Sequence, residues 1–213
     1  MEASFWHSKW QRGEIAFHQS QANPLLVAHF EALNLPKGSR VFLPLCGKTL
    51  DIAWLLAGGY RVVGAELSEI AIDELFESLG LQPKITKVGA LIHYSAENID
   101  LFVGNIFDLT AEYFGPVNAI YDRAAIVALP ADTRKQYASH LLNITQAAPQ
   151  LVIAYEYDQS LVDGPPFSVS EVELKQHYGA TYELAALETR EVEGGMKGQA
   201  ASTETAWLLK SQS

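Results

Sequence analysis

An α/β fold, with a mostly parallel sheet covered by helices on both faces, is predicted by three features of the sequence. Apolar runs of strand length alternate with segments of helical period along most of the chain. The first of these runs ends in a glycine turn that leads straight into a helix. Two strand-like segments with a glycine-rich connection close the chain, which predicts an antiparallel hairpin beside an otherwise parallel sheet.

The elements follow in order. Residues 5–21 are aromatic and polar without strand alternation, which predicts a short helix and then a loop. Leu25, Leu26, Phe30 and Leu33 recur at helical spacing from Pro24 to Leu35, and Pro36-Lys37-Gly38 stops that helix. RVFLPL (40–45) is the first strand, Cys46-Gly47-Lys48 its turn, and a helix runs from Asp51 to Gly58-Gly59. RVVGAEL (61–67) repeats the unit, with Ser68 as the cap of a helix that reaches Gly80. The weaker pattern over 84–99 predicts a hairpin-like excursion. ENIDLFVGNIFDL, VNAIYDRAAIVALP and PQLVIAYEYD supply three further strands. Helices are predicted over 132–147 and after Ser168-Val169-Ser170, and the terminal hairpin starts at Thr181. With no repeats or linkers, residues 1–213 read as one domain.

Composition narrows the partners. The formal net charge of -10 leaves no basic patch of the kind that phosphate backbones or anionic membrane surfaces require, so the expected partner is a small molecule. Cys46 is the only cysteine, which excludes an intrachain disulfide and suits a reducing compartment. The first residues lack the pattern of a secretory signal, and no apolar run approaches a bilayer span, so a cytoplasmic location is expected.

In open α/β sheets ligands lie beyond the carboxyl ends of the strands, where strand order reverses. Gly47, after the first strand, lets backbone approach a nucleotide or amino-acid moiety, or simply makes a turn. The surrounding residues match neither GxGxxG nor the P-loop, which disfavours NAD and ATP. Glu66 closes the second strand about 20 residues later, the spacing at which a carboxylate meets ribose hydroxyls; the alternative is a surface or capping glutamate. Asp108 reads equally as a cap or a site residue. Asp122-Arg123 interrupts an apolar stretch, either as a structural ion pair or with the Arg123 fork turned toward a ligand carboxylate. Packing is the expected role of Cys46. The histidines at 7, 18, 29, 93, 140 and 177 form no metal-binding spacing, so no metal is expected. Trp6, Trp10 and Phe17 either make an accessory core or cover a flat ligand.

Several blocks in the same order give this chain a resemblance to the thiopurine S-methyltransferase family, especially its bacterial members. They are FWHSKWQRGEIAFHQ, VFLPLCGKTLDIAWLLAGGYRVVGAELSEIAI, NIFDL, IYDRAAIVALP and GPPFSVS, and together they span nearly the whole sequence. The resemblance implies a Rossmann-like class I methyltransferase fold, a seven-stranded sheet whose last strand is antiparallel. It implies S-adenosylmethionine as cofactor and an aromatic thiol as methyl acceptor, with selenium or tellurium species accepted by some bacterial members. It further implies that Trp10, Leu45, Glu66 and Arg123 line the cofactor site, with the backbone of Asn105 and Ile106 near the adenine. Glu66 would hold the ribose and Arg123 would lie near the methionine end. Phe17 and His18 would sit closer to the acceptor. Read from its own residues, aromatics among polar side chains ahead of the first strand, the segment 1–22 is expected to be a lid. From Tyr182 onward the chain matches vertebrate members poorly, which leaves acceptor choice open. In-line displacement needs alignment rather than a covalent intermediate, and a thiol ionises without a strong base. A noncatalytic adenosine-ligand binding protein is the alternative, because fold alone does not imply catalysis.

Overall fold

The computed structural model describes residues 3–15 and 18–211. Helix α1 (Ala3–Gln11) opens the chain. α2 (Pro24–His29), with proline at its first turn and the Asn23 side chain accepting from Leu25 N and Leu26 N, passes into a 3-10 turn, Phe30–Leu33. Then come β1 (Arg40–Pro44), α3 (Asp51–Ala57), β2 (Arg61–Glu66) and α4 (Glu69–Leu79). Ser68 Oγ caps α4 by accepting from Ala71 N at 3.4 Å. After the hairpin β3 (Lys84–Val88) and β4 (Leu91–Ala96) follow β5 (Ile99–Val103), α5 (Ala111–Phe114), β6 (Ala119–Arg123) and α6 (Ala131–Thr145). β7 (Gln150–Tyr157), α7 (Glu171–Tyr178), β8 (Tyr182–Glu191) and β9 (Ser202–Ser211) complete the chain.

The described strands form one sheet in the order β3-β4-β5-β2-β1-β6-β7-β9-β8. It is a mixed sheet of nine strands, a correction to the expected seven. β5, β2, β1, β6 and β7 pair in parallel, whereas β4 and β9 run against their neighbours. The two additional strands are β3 and β4, which extend the β5 edge as an antiparallel hairpin. The terminal hairpin forms as expected, but β9 lies between β7 and β8 rather than at the edge. Its burial explains this. β9 is buried on both faces from Glu204 to Leu209, as an interior strand must be, while β8 exposes Glu183, Glu188 and Glu191 at the margin.

Apolar side chains cover the sheet on both sides. Leu26, Phe30, Ile52, Leu55, Ile72 and Leu75 of α2 through α4 pack on the face of Val41, Tyr121 and Leu151. Phe114, Tyr137, Leu141 and Leu174 of α5 through α7 pack on the face of Phe42, Ile120 and Val152. Strand order reverses between β1 and β6, so the carboxyl ends of β1, β2, β5 and β6 form one rim. No helix among the described residues is long and apolar enough to cross a membrane.

Candidate functional site

The rim is built from unusual backbone. Leu45, immediately after β1, has φ 47°, and Gly47 has φ 52°; Ala124 after β6 has φ 59°. A left-handed leucine is uncommon, and such conformations collect where a chain is held for function. The turn brings Gly47 N–H to Glu66, at the end of neighbouring β2. Glu66 Oε2 accepts from Gly47 N at 2.8 Å and Oε1 from Ser68 N at 2.9 Å. Burial raises the Glu66 pKa, and the N–H groups of Ser68, Gly47 and Leu67 hold it back. Each carboxylate oxygen has more than one acceptor site, so this group can also take hydroxyl donors from a ribose.

At the end of β5, Asn105 is exposed and its Oδ1 accepts from Phe107 N at 3.1 Å, which caps the 3-10 turn Ile106–Asp108. The cap is therefore Asn105, and Asp108 is an exposed residue within the turn it starts. Ile106 is buried, and its carbonyl accepts from His140 Nε2 at 2.8 Å. Burial depresses the His140 pKa, consistent with a neutral ring serving as a fixed strut beneath this apolar corner.

Asp122 and Arg123 part ways at the end of β6. Asp122 is fully buried, with Oδ1 accepting from Ile126 N at 3.0 Å and Oδ2 from the Tyr137 hydroxyl at 2.7 Å. Successive strand residues point to opposite faces, so Arg123 shares the other face with Tyr121. Its charge reaches His18, Tyr121 and Tyr155. His18, half-buried, has its pKa lowered by burial and then by Lys48 and Arg123. Thus the chain before α2 passes over the rim beside Arg123. Trp10 is buried near the end of α1, which packs against α4. Phe17 lies outside the described residues.

A second group was not singled out from sequence. Asp51, buried at the start of α3, accepts from Asn23 N at 2.7 Å and from the Tyr121 hydroxyl at 3.0 Å. It ties the segment entering α2 to the strand that carries Arg123. Apolar spacing predicts the helix from Pro24, but nothing local in the sequence pairs residue 23 with residue 51. Cys46 is buried with its thiol pKa pushed well up, and a Cβ on Gly64 would lie 3.0 Å from its sulfur, so packing accounts for it. Among the described residues, no three His, Cys, Asp or Glu side chains form a metal-binding group.

A family model described as Thiopurine S-methyltransferase (TPMT) matches residues 1–211. The chain is 54% identical over 211 residues to the thiopurine S-methyltransferase of Xanthobacter autotrophicus, covering 99% of each protein. It is 45% identical over 213 residues to that of Acinetobacter baylyi, covering 98% of each. Among solved structures it is similar to the Burkholderia thailandensis 1,6-didemethyltoxoflavin-N1-methyltransferase with bound 1,6-didemethyltoxoflavin and S-adenosylhomocysteine. That likeness has TM-score 0.65 and 17% identity, and covers 99% of this chain and 87% of the other. The Synechocystis magnesium protoporphyrin IX methyltransferase with bound SAH gives TM-score 0.63 and 13% identity, over 96% and 99%. At such low identity these two establish the fold alone. With the family model and relatives matching almost end to end, the chain belongs to the thiopurine S-methyltransferase family of S-adenosylmethionine-dependent enzymes.

Proposed function

We propose that this enzyme methylates an aromatic, thiopurine-type thiol or a related selenium or tellurium acceptor by in-line methyl transfer. The observation that carries the reading is the positive field where β6 meets the segment before α2. Burial lowers the His18 pKa there first, and the charges of Lys48 and Arg123 lower it further against that of Glu74, the partner of Lys48. A field that disfavours imidazolium favours an anion, and the thiolate is the reactive form of a thiol. The imidazole stays neutral near pH 7 and does not compete for the acceptor's charge.

The donor chemistry is a sulfonium methyl electrophile, which S-adenosylmethionine supplies when bound. The rim fits that group. Glu66 accepts the ribose hydroxyls with lone pairs its backbone partners leave free, and the backbone of Asn105 and Ile106 borders the adenine. Leu45 and Trp10 contribute apolar surface, and Arg123 lies toward the methionine end. Residues 1–22 act as a lid on this single domain, and Phe17 and His18 of that segment bind the acceptor. Excluding water and holding the sulfur in line supplies the catalysis, and no enzyme nucleophile is required.

Incubation with methyl-labelled S-adenosylmethionine and a panel of thiophenol, a mercaptopurine, selenite and tellurite tests the proposal. Label is expected in the thiol products. Tight binding of S-adenosylhomocysteine with no transfer to any panel member would instead favour the noncatalytic binder.

A further inference from the structure

Asp51, which neither the donor nor the acceptor chemistry uses, stands where three parts of the rim meet. It begins α3, directly after the turn that carries Leu45, Gly47 and Lys48, and it is only 1% exposed. Gly47 N–H is fixed on Glu66, and Asp51 N–H on Thr49 Oγ1 at 3.3 Å, so the turn holds the carboxylate at a set place. From there Oδ1 accepts from Asn23 N at 2.7 Å and Oδ2 from the Tyr121 hydroxyl at 3.0 Å. Hydrogen bonds to a carboxylate are roughly twice as strong as neutral ones, and a buried carboxylate is costly unless its oxygens are matched, as both are here.

Both partners lead toward the site. Asn23 ends the stretch that carries His18, and its own Oδ1 caps α2 by accepting from Leu25 N and Leu26 N. Its N–H therefore fixes where the chain leaves the rim and turns into helix. Tyr121 lies two residues before Arg123 on β6, and strand alternation puts the two on one face. The charges of Lys48, in the turn that leads to Asp51, and of Arg123 both reach His18, as does that of Glu74, the partner of Lys48. The two sides that Asp51 joins are thus two whose charges His18 feels.

We propose that Asp51 is a positioning residue for methyl transfer, whose carboxylate sets the distance between the His18 segment and Arg123. This rests on the reading above that His18 and Arg123 border the acceptor. In-line displacement tolerates little misplacement, and a shift of about 1 Å made far from the chemistry costs on the order of 100-fold in rate. Asp51 acts through Asn23 and Tyr121, whereas the ribose is left to Glu66. Loosening either of its hydrogen bonds therefore penalises the acceptor far more than the cofactor.

The test uses the full-length enzyme with S-adenosylmethionine and thiophenol, and two variants. Asp51→Asn removes the charge but keeps the size, and Tyr121→Phe removes a single hydroxyl. Asp51→Asn is expected to lower kcat/KM for thiophenol by about 10- to 100-fold and Tyr121→Phe by about 3- to 10-fold. S-adenosylhomocysteine affinity should stay within about 3-fold of wild type in both. The Asn23 amide should exchange faster in Asp51→Asn, because that N–H loses its charged acceptor. Faster exchange with unchanged acceptor kinetics would overturn the proposal and leave Asp51 a clasp at the entry to α2. Parallel losses of kcat/KM, S-adenosylhomocysteine affinity and melting temperature would also overturn it, because a general strut behaves that way. If Asp51→Asn fails to fold, Tyr121→Phe remains decisive, since wild-type kinetics in that variant would overturn the tie to β6. A wild-type enzyme inactive on thiophenol but active on selenite would overturn the aromatic-thiol reading alone, and the same ratios measured on selenite then decide for or against Asp51.

Discussion

Two buried carboxylates at the ends of β2 and β6 have different tasks, and their partners separate them. Glu66 is held by backbone N–H groups from two turns, with acceptor capacity to spare. Glu66→Gln preserves shape and removes charge, and is expected to weaken S-adenosylhomocysteine binding by about 1–3 kcal/mol in a calorimetric titration. An unchanged affinity in a folded variant would make Glu66 a purely structural clasp between β1 and β2. Asp122 instead holds the turn after β6 to Tyr137, and burial lifts its pKa to about 6. Because the unfolded value is about 3.9, the folded state binds the extra proton between roughly pH 4 and 6. Stability from this group is therefore greatest below pH 4 and lost as pH rises to 6, by up to about 3 kcal/mol. Asp122→Asn should flatten that part of the profile in urea unfolding at pH 4, 5 and 7, and a slope identical to wild type would refute it. The place of Glu66, buried at the end of β2, was legible because an acid closing an apolar run marks a strand end. Asp122-Arg123 was ambiguous, since adjacency in sequence suggests a pair whereas a strand sends consecutive side chains apart.

At the scale of elements, the proposed lid is the segment before the sheet. α1 packs on α4, the chain returns over Arg123, and Asn23 is clasped by Asp51 before α2 begins. A lid of this kind should show slower amide exchange over residues 3–15 when S-adenosylhomocysteine is added. Removal of residues 1–15 should impair methyl transfer while leaving the sheet folded. If exchange is unaltered by ligand and the truncated protein melts far below wild type, Trp10 is permanent core instead. The alternation of strands with helices was readable because each element has its own period. The place of β9 was harder to read, because a hairpin in sequence does not say which strand is inserted. Its apolar run through Ala206, Trp207, Leu208 and Leu209, against the charged pattern of β8, is the signal that favours the interior position. The β3–β4 pair, half-exposed, has the weak alternation of an edge hairpin and so was visible only as an excursion.

For the whole molecule, strand order carries the functional argument. Reversal between β1 and β6 concentrates the ends of four parallel strands at one rim. Residues 45, 66, 105, 106 and 123 are far apart in sequence and gather only because each follows or ends one of those strands. Sequence blocks were sufficient to single them out, whereas Asp51 emerges only from its contacts with Asn23 and Tyr121 in the folded chain. The central claim is that this rim holds S-adenosylmethionine, and its most direct test is a crystal structure of the protein with S-adenosylhomocysteine. The ribose hydroxyls are predicted on Glu66, the adenine beside Asn105 and Ile106, and the amino-acid end toward Arg123. Ligand density elsewhere, with Glu66 bonded only to Gly47 and Ser68, would contradict it.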